Sequence, residues 1–240
     1  MNRTSITGLA CLLAVALTAC AGGGEPPAPS GSPASAPLEA LKEPANSMSV
    51  SPPLSPAPVS AEALAAYRAL LAGEPGALDR PPEGLELHQV TLPPAEELEY
   101  VLLDLDGDGG AELVVQMVAQ PHQFNAVFHY GDGELSCWQY DIMEMSCRDY
   151  PLGDGAMVRQ YDTGTGPNRY SNLYTVFRYL PDGETEECAS LAVHQDTQED
   201  GTEVFTYLVD DAEVDQDTFA AEFEELVGSR LLSLEDWTPA

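Results

Sequence analysis

Basic residues are scarce in this chain. Lys and Arg number 9 against 40 Asp and Glu, giving a formal charge of −31 over 240 residues. Lys42 is the only lysine. A nucleic-acid partner needs a basic footprint, so no nucleic acid is expected. Anionic lipid headgroups would also repel such a body. The acids are spread along the chain, which suits a soluble surface, dissolved cations or a cationic partner. Familiar catalytic spacings are missing too: no HExxH, GxSxG or P-loop occurs. His88, His122, His129 and His194 are scattered and read as surface or strand residues. Acid pairs such as Asp210 with Asp211 and Glu224 with Glu225 could suggest a glycosidase. That chemistry needs two carboxylates at set distances across a cleft, and 40 acids supply such pairs by chance.

Cysteine is also sparse, at five residues. Cys11 and Cys20 belong to the N-terminal segment, which leaves Cys137, Cys147 and Cys188. In an exported domain an odd count means an unpaired thiol or an intermolecular bond. Cys137 and Cys147 would face each other in a disulfide if the chain folds back near Ile142. Buried free thiols are the alternative. No cysteine spacing matches a zinc site.

What is present begins at the N-terminus. Arg3 gives a short positive region, and residues 6–17 form an apolar run too short to span a bilayer as a helix. It ends in Leu17-Thr18-Ala19-Cys20. These four residues resemble the lipobox of bacterial lipoproteins. The resemblance implies cleavage after residue 19, a lipidated Cys20 and attachment to the cell membrane facing outside the cytoplasm. An ordinary secretory signal is the alternative. Residues 20–59 are then the lipidated cysteine and a stalk rich in Pro, Gly, Ser and Ala, with no apolar period. Such a segment buries too little surface to offset its ordering entropy. In extended polyproline form, at about 3.1 Å per residue, it reaches on the order of 100 Å. It reads as a spacer; a PxxP ligand would want basic flanks that are absent.

Residues 60–240 suffice for one domain with a core. Residues 60–73 predict a helix, with Ser60 as N-cap and Gly73 beyond its end. Strands are expected at residues 85–92, 100–103, 113–118, 126–130, 134–140, 156–161, 172–180, 187–194 and 203–209. Asp132-Gly133 and Asp182-Gly183 mark hairpins. A last helix is expected near residues 216–227 with Asp215 as N-cap, and Trp237 packing back on the core. The fold class is therefore α+β: a meandering antiparallel sheet of about six to eight strands, packed by an N-terminal and a C-terminal helix. A β-propeller fragment is the alternative, but the acidic motif occurs once.

That motif is Asp104-Leu105-Asp106-Gly107-Asp108-Gly109-Gly110-Ala111-Glu112, with four carboxylates in nine residues. At about 4 Å and an effective dielectric near 20, each like pair repels by roughly 4 kcal/mol, which a divalent ion would relieve. Asp at positions 1, 3 and 5 turns alternate side chains inward, and Gly at position 6 permits the sharp turn. Val115 stands where an EF-hand needs its acid at position 12, and the flanks are β-like. Residues 100–115 instead resemble the DxDxDG hairpins of FG-GAP and VCBS-type calcium-binding repeats. The resemblance implies a Ca²⁺ that stiffens the strand connection. Its ligands would be the carboxylates of Asp104, Asp106, Asp108 and Glu112 and the Gly110 carbonyl. Mg²⁺ suits so many flexible carboxylates less well. The order of helix, acidic hairpin, terminal strand, helix and Glu235-Asp236-Trp237 also resembles lipoproteins of Gram-positive anaerobes, which implies architecture and location only.

The ten residues 161–170 carry a Tyr at each end, and Tyr161 and Tyr170 are candidate ligand contacts on a surface loop. The expected function is a lipid-anchored, non-enzymatic binding module for a protein or glycan. An extracytoplasmic hydrolase or sensor domain is the alternative.

Overall fold

Ser60 begins the first helix, α1 (Ala61–Leu71), by accepting the Ala63 amide on its Oγ at 3.0 Å. Gly73 follows at φ 68°, a conformation that costs glycine little. The second helix, α2 (Gln216–Leu226), starts the same way, with Asp215 Oδ1 accepting the Thr218 amide at 2.7 Å. These details come from a computed structural model, which describes residues 57–142, 146–164 and 168–240. The expected signal segment, Cys20 and the stalk to residue 56 lie outside the described residues.

Between the helices, and with one short strand after the second, the chain forms two antiparallel sheets where a single meander was expected. The first holds β1 (Leu98–Leu103), β2 (Glu112–Met117), β3 (Gln120–Gly131), β4 (Glu134–Ile142) and β11 (Thr238–Pro239). Its order is β11-β1-β2-β3-β4. The second runs in chain order through β5 (Cys147–Pro151), β6 (Met157–Gly164), β7 (Arg169–Tyr179), β8 (Thr185–Thr197), β9 (Glu203–Val209) and β10 (Ala212–Val214). Two of the turns are two-residue links with left-handed backbones. Asp132 and Gly133 join Gly131 to Glu134, and Asp210 and Asp211 join Val209 to Ala212. Left-handed pairs match the twist of the flanking strands. Asp210 and Asp211 are thus turn-formers, and Asp210 also accepts the Ser190 amide.

The core has three parts, which together order four layers. Ala63 and Tyr67 of α1 pack on Leu113, Val115, Ala126 and Phe128. Phe219 and Phe223 of α2 pack on Val158, Tyr174, Val176 and Leu191. Between the sheets lie Val101, Leu103, Val114, Val127, Met157, Phe177 and Trp237. Alternate residues of β2 and β3 therefore face α1 and the opposing sheet. Burial on both faces explains the unbroken apolar run Leu113-Val114-Val115. Trp237 is buried, as expected.

Polar groups also join the sheets. Asp149 of β5 is fully buried, and both its oxygens accept from Arg159 of β6, at 2.9 and 2.8 Å. Gln139 of β4 donates to Asp149 at 2.7 Å and accepts the Tyr179 hydroxyl at 2.6 Å. The strand expected at residues 85–92 is absent; a short 3-10 turn, Leu87–Gln89, stands there. Pro81, Pro82, Pro93 and Pro94 bracket that stretch and lack donors for a ladder.

His122 sits in β3 at φ 66°, with its ring 4.4 Å from that of Tyr150. Burial, reinforced by Arg148, lowers its imidazole from 6.5 to about 4. The unfolded chain therefore takes up this proton first as pH falls. The group's contribution is complete above pH 6.5 and is lost as pH falls toward about 4. The loss accumulates to about 3 kcal/mol. Urea unfolding should show His122→Gln losing less stability over that interval than the parent chain; equal losses would contradict the assignment.

Candidate metal centre

The acidic loop folds as a series of local caps. Asp104 Oδ1 accepts the Gly107 amide at 2.7 Å, and its Oδ2 accepts the Gly109 amide at 3.1 Å. Asp106 Oδ1 accepts from Asp108, and Asp108 Oδ1 from Gly110. Gly107 and Gly109 lie at φ 77° and 88°, where other residues would be strained. Asp104, Asp106 and Asp108 each bring a carboxylate oxygen within 4.8 Å of the others, so the three could hold a metal ion. The loop amides relieve part of the mutual repulsion. They leave Asp106 Oδ2 buried without a hydrogen-bond partner. A buried, unpaired carboxylate oxygen is costly, and a cation is the partner such chemistry fits.

Glu112 groups with Asp106 and not with Asp104 and Asp108. It is 1% exposed at the start of β2. Its Oε2 accepts the Leu105 amide at 2.7 Å, and its Oε1 lies 3.0 Å from His129 Nδ1. Asp106, Glu112 and His129 form a second group with donor atoms within 4.8 Å. Burial raises the Glu112 carboxyl and the Asp106 carboxyl. The bond to Glu112 raises the His129 imidazole. The sequence reading missed His129. Its signal was cross-strand pairing: Leu113 opposes Phe128, which sets Glu112 beside His129.

Three contacts tie the loop to the rest of the molecule. The Tyr67 hydroxyl of α1 donates to the Ala111 carbonyl at 2.8 Å. Leu105 is fully buried among the residues between the sheets. Gly155, at φ 84° in the β5–β6 turn, passes so close to the Asp104 carbonyl that any Cβ there would overlap it.

The remaining expected sites do not assemble. Cys137, Cys147 and Cys188 are free. The expected Cys137–Cys147 disulfide does not form, because Cys137 pairs with Phe128 in the first sheet and Cys147 with Tyr161 in the second. Tyr161 and Tyr170 do not flank a ten-residue loop. β6 and β7 continue through both, with Gly164 opposite Tyr170 and Tyr161 opposite Leu173. Their register places the two rings on opposite faces of the sheet. Ser171 Oγ is 2.7 Å from His194 Nδ1 across β7 and β8. Ser171 is only 2% exposed, and among the described residues no carboxylate orients His194. The pair reads as a strand-to-strand tie. An open cleft of about 550 Å³ lies beside His129, lined by Arg80, Pro82, Trp138, Pro181 and Gly183.

Removing the Tyr67 hydroxyl with Tyr67→Phe leaves the buried Ala111 carbonyl without its donor. Denaturant unfolding should show a loss of about 1–3 kcal/mol; an unchanged midpoint would mean that this contact does not hold the loop to α1.

Comparison with protein-family models, with curated proteins and with solved structures yields no match.

Proposed function

We propose that this chain is a lipid-anchored extracytoplasmic surface protein. Its single domain is stiffened by Ca²⁺ in the Asp104–Asp106–Asp108 loop and acts as a non-enzymatic binding module. One observation carries the metal reading: Asp106 Oδ2 is buried in an acidic loop with no hydrogen-bond partner. Ca²⁺ suits the loop because it takes six to eight hard oxygens in flexible geometry. Three carboxylates leave room for the Gly110 carbonyl and water. The loop meets α1 through Tyr67 and the space between the sheets through Leu105, so an ion there would brace three layers at once.

The location rests on the lipobox-like residues Leu17-Thr18-Ala19-Cys20. Among the described residues no helix is long and apolar enough to cross a membrane. A protein or glycan is the expected ligand, and the cleft beside Trp138 is the place to seek it. The Trp138 ring is stacked on His129 at 4.4 Å and on Tyr179 at 5.3 Å. A ligand in the cleft would meet Trp138 and polar neighbours such as Arg80. The hydrolase alternative gains little support from Ser171 and His194, because the serine is buried and among the described residues no third group completes a triad.

Millimolar Ca²⁺ should raise the melting temperature of the chelator-treated protein. Asp106→Ala combined with Asp108→Ala should abolish the gain; identical melting curves with and without Ca²⁺ in the parent would refute the calcium reading. For the anchor, Cys20→Ser should move the protein from the membrane to the soluble fraction. Retention of that variant on membranes would refute lipidation.

A further inference from the structure

We propose that Asp106, Glu112 and His129 form a second, inner metal site that takes a first-row divalent transition-metal ion. The site shares Asp106 with the calcium loop but needs neither Asp104 nor Asp108. Its donors are one imidazole nitrogen and two carboxylate oxygens, all within 4.8 Å of one another. Around a tetrahedral ion at about 2.0–2.2 Å each pair of donors stands about 3.3–3.6 Å apart, so the group closes with modest side-chain movements. Glu112 Oε1 and His129 Nδ1 are already 3.0 Å apart.

The donor types choose the ion. Imidazole suits Zn²⁺ and its neighbours in the series, whereas Ca²⁺ wants six or more oxygens. Three protein donors leave a position for water, an arrangement common to exchangeable sites.

The surroundings hold each donor in place, as outer contacts commonly do around metals. Glu112 is anchored through Oε2 to the Leu105 amide, which leaves Oε1 as its donor. The His129 ring is stacked on Trp138 at an interplanar angle of 10°. Its Nε2 edge lies against Gly131, where a Cβ would collide with the ring, so Nδ1 is the nitrogen presented to the acids. Asp106 Oδ2 is the third donor, buried and without a hydrogen-bond partner. Side-chain exposures of 2% for Glu112 and 16% for His129 set this site apart from a chance surface cluster. Metal binding transfers no group. It replaces the contact between Nδ1 and Oε1, and the Nδ1 proton goes to Nε2 or to solvent.

The test uses the full chain, stripped with chelator and then saturated with Ca²⁺. Zn²⁺ is titrated by calorimetry, and Co²⁺ is followed by its visible absorption. The parent should bind one Zn²⁺ with Ca²⁺ present. His129→Gln should weaken Zn²⁺ at least roughly tenfold and alter the Co²⁺ spectrum. Circular dichroism checks that this variant folds. His88→Gln, at an exposed histidine, should leave Zn²⁺ affinity unchanged. Zn²⁺ affinity that survives His129→Gln, or Zn²⁺ that Ca²⁺ displaces mole for mole, overturns the second site. A chain that binds Zn²⁺ through His129 but shows no thermal response to Ca²⁺ would sink the calcium reading and leave this one standing.

Discussion

Glu112 is a carboxylate shut away from water at the first position of β2, and the rest of the loop is built around that constraint. A buried carboxylate must be met by donors or by a cation. Here the Leu105 amide meets one oxygen and the His129 ring the other. The first contact draws the start of the acidic loop back over β2 and pushes the Leu105 side chain between the sheets. The second fixes β3 against β2 at the same level. With Leu105 and Ala111 both held, the intervening aspartates have little freedom in where to point, and their oxygens converge.

Convergence at that spot matters because the loop is a joint. α1 reaches it through the Tyr67 hydroxyl, the first sheet supplies both its ends, and the second sheet presses Gly155 against the Asp104 carbonyl. A change in the loop would be felt in all three. Antiparallel sheets packed face to face otherwise slide on apolar contacts that carry little direction. Among the described residues the polar links between the sheets include the Asp149–Arg159–Gln139–Tyr179 network and the Asn125 amide, which donates to the Asp149 carbonyl. The acidic loop adds the packing of Leu105 and the close approach of Gly155.

Local chemistry made much of this legible from sequence. Ser60 and Asp215 marked helix starts because an N-cap acts within three residues. Asp132-Gly133 marked its hairpin because left-handed turns admit few residue types. The grouping of Asp104, Asp106 and Asp108, which could hold a metal ion, was readable for the same reason, since its spacing is local. What escaped was non-local. Division into two sheets depends on which strands pair after Ile142, and β5 carries Arg148, Asp149 and Pro151, a poor strand signature until Arg159 neutralises Asp149 from the next strand. The disulfide failed because that division sends Cys137 and Cys147 into different sheets. Tyr161 and Tyr170 failed because Thr163 and Gly164 extend β6 where their turn-like composition suggested a loop. His129 lay 17 residues beyond Glu112, and only strand register joins them.

The few ion-paired arginines are engaged away from the acidic loop. Arg159 serves Asp149, Arg178 and Arg230 share Asp154, Arg80 meets Glu134, and Arg169 meets Asp196. Each pair joins separate strands or segments, so the scarce guanidinium groups are used to stitch the fold. Among the described residues none of them pairs with Asp104, Asp106 or Asp108. Backbone amides take up part of the negative charge, but amides are dipoles with no net charge. In a chain of formal charge −31 the long-range field only adds to the local repulsion. Among the described residues these arginines are committed to the sheets, and the three loop aspartates could hold a metal ion that supplies the counter-charge.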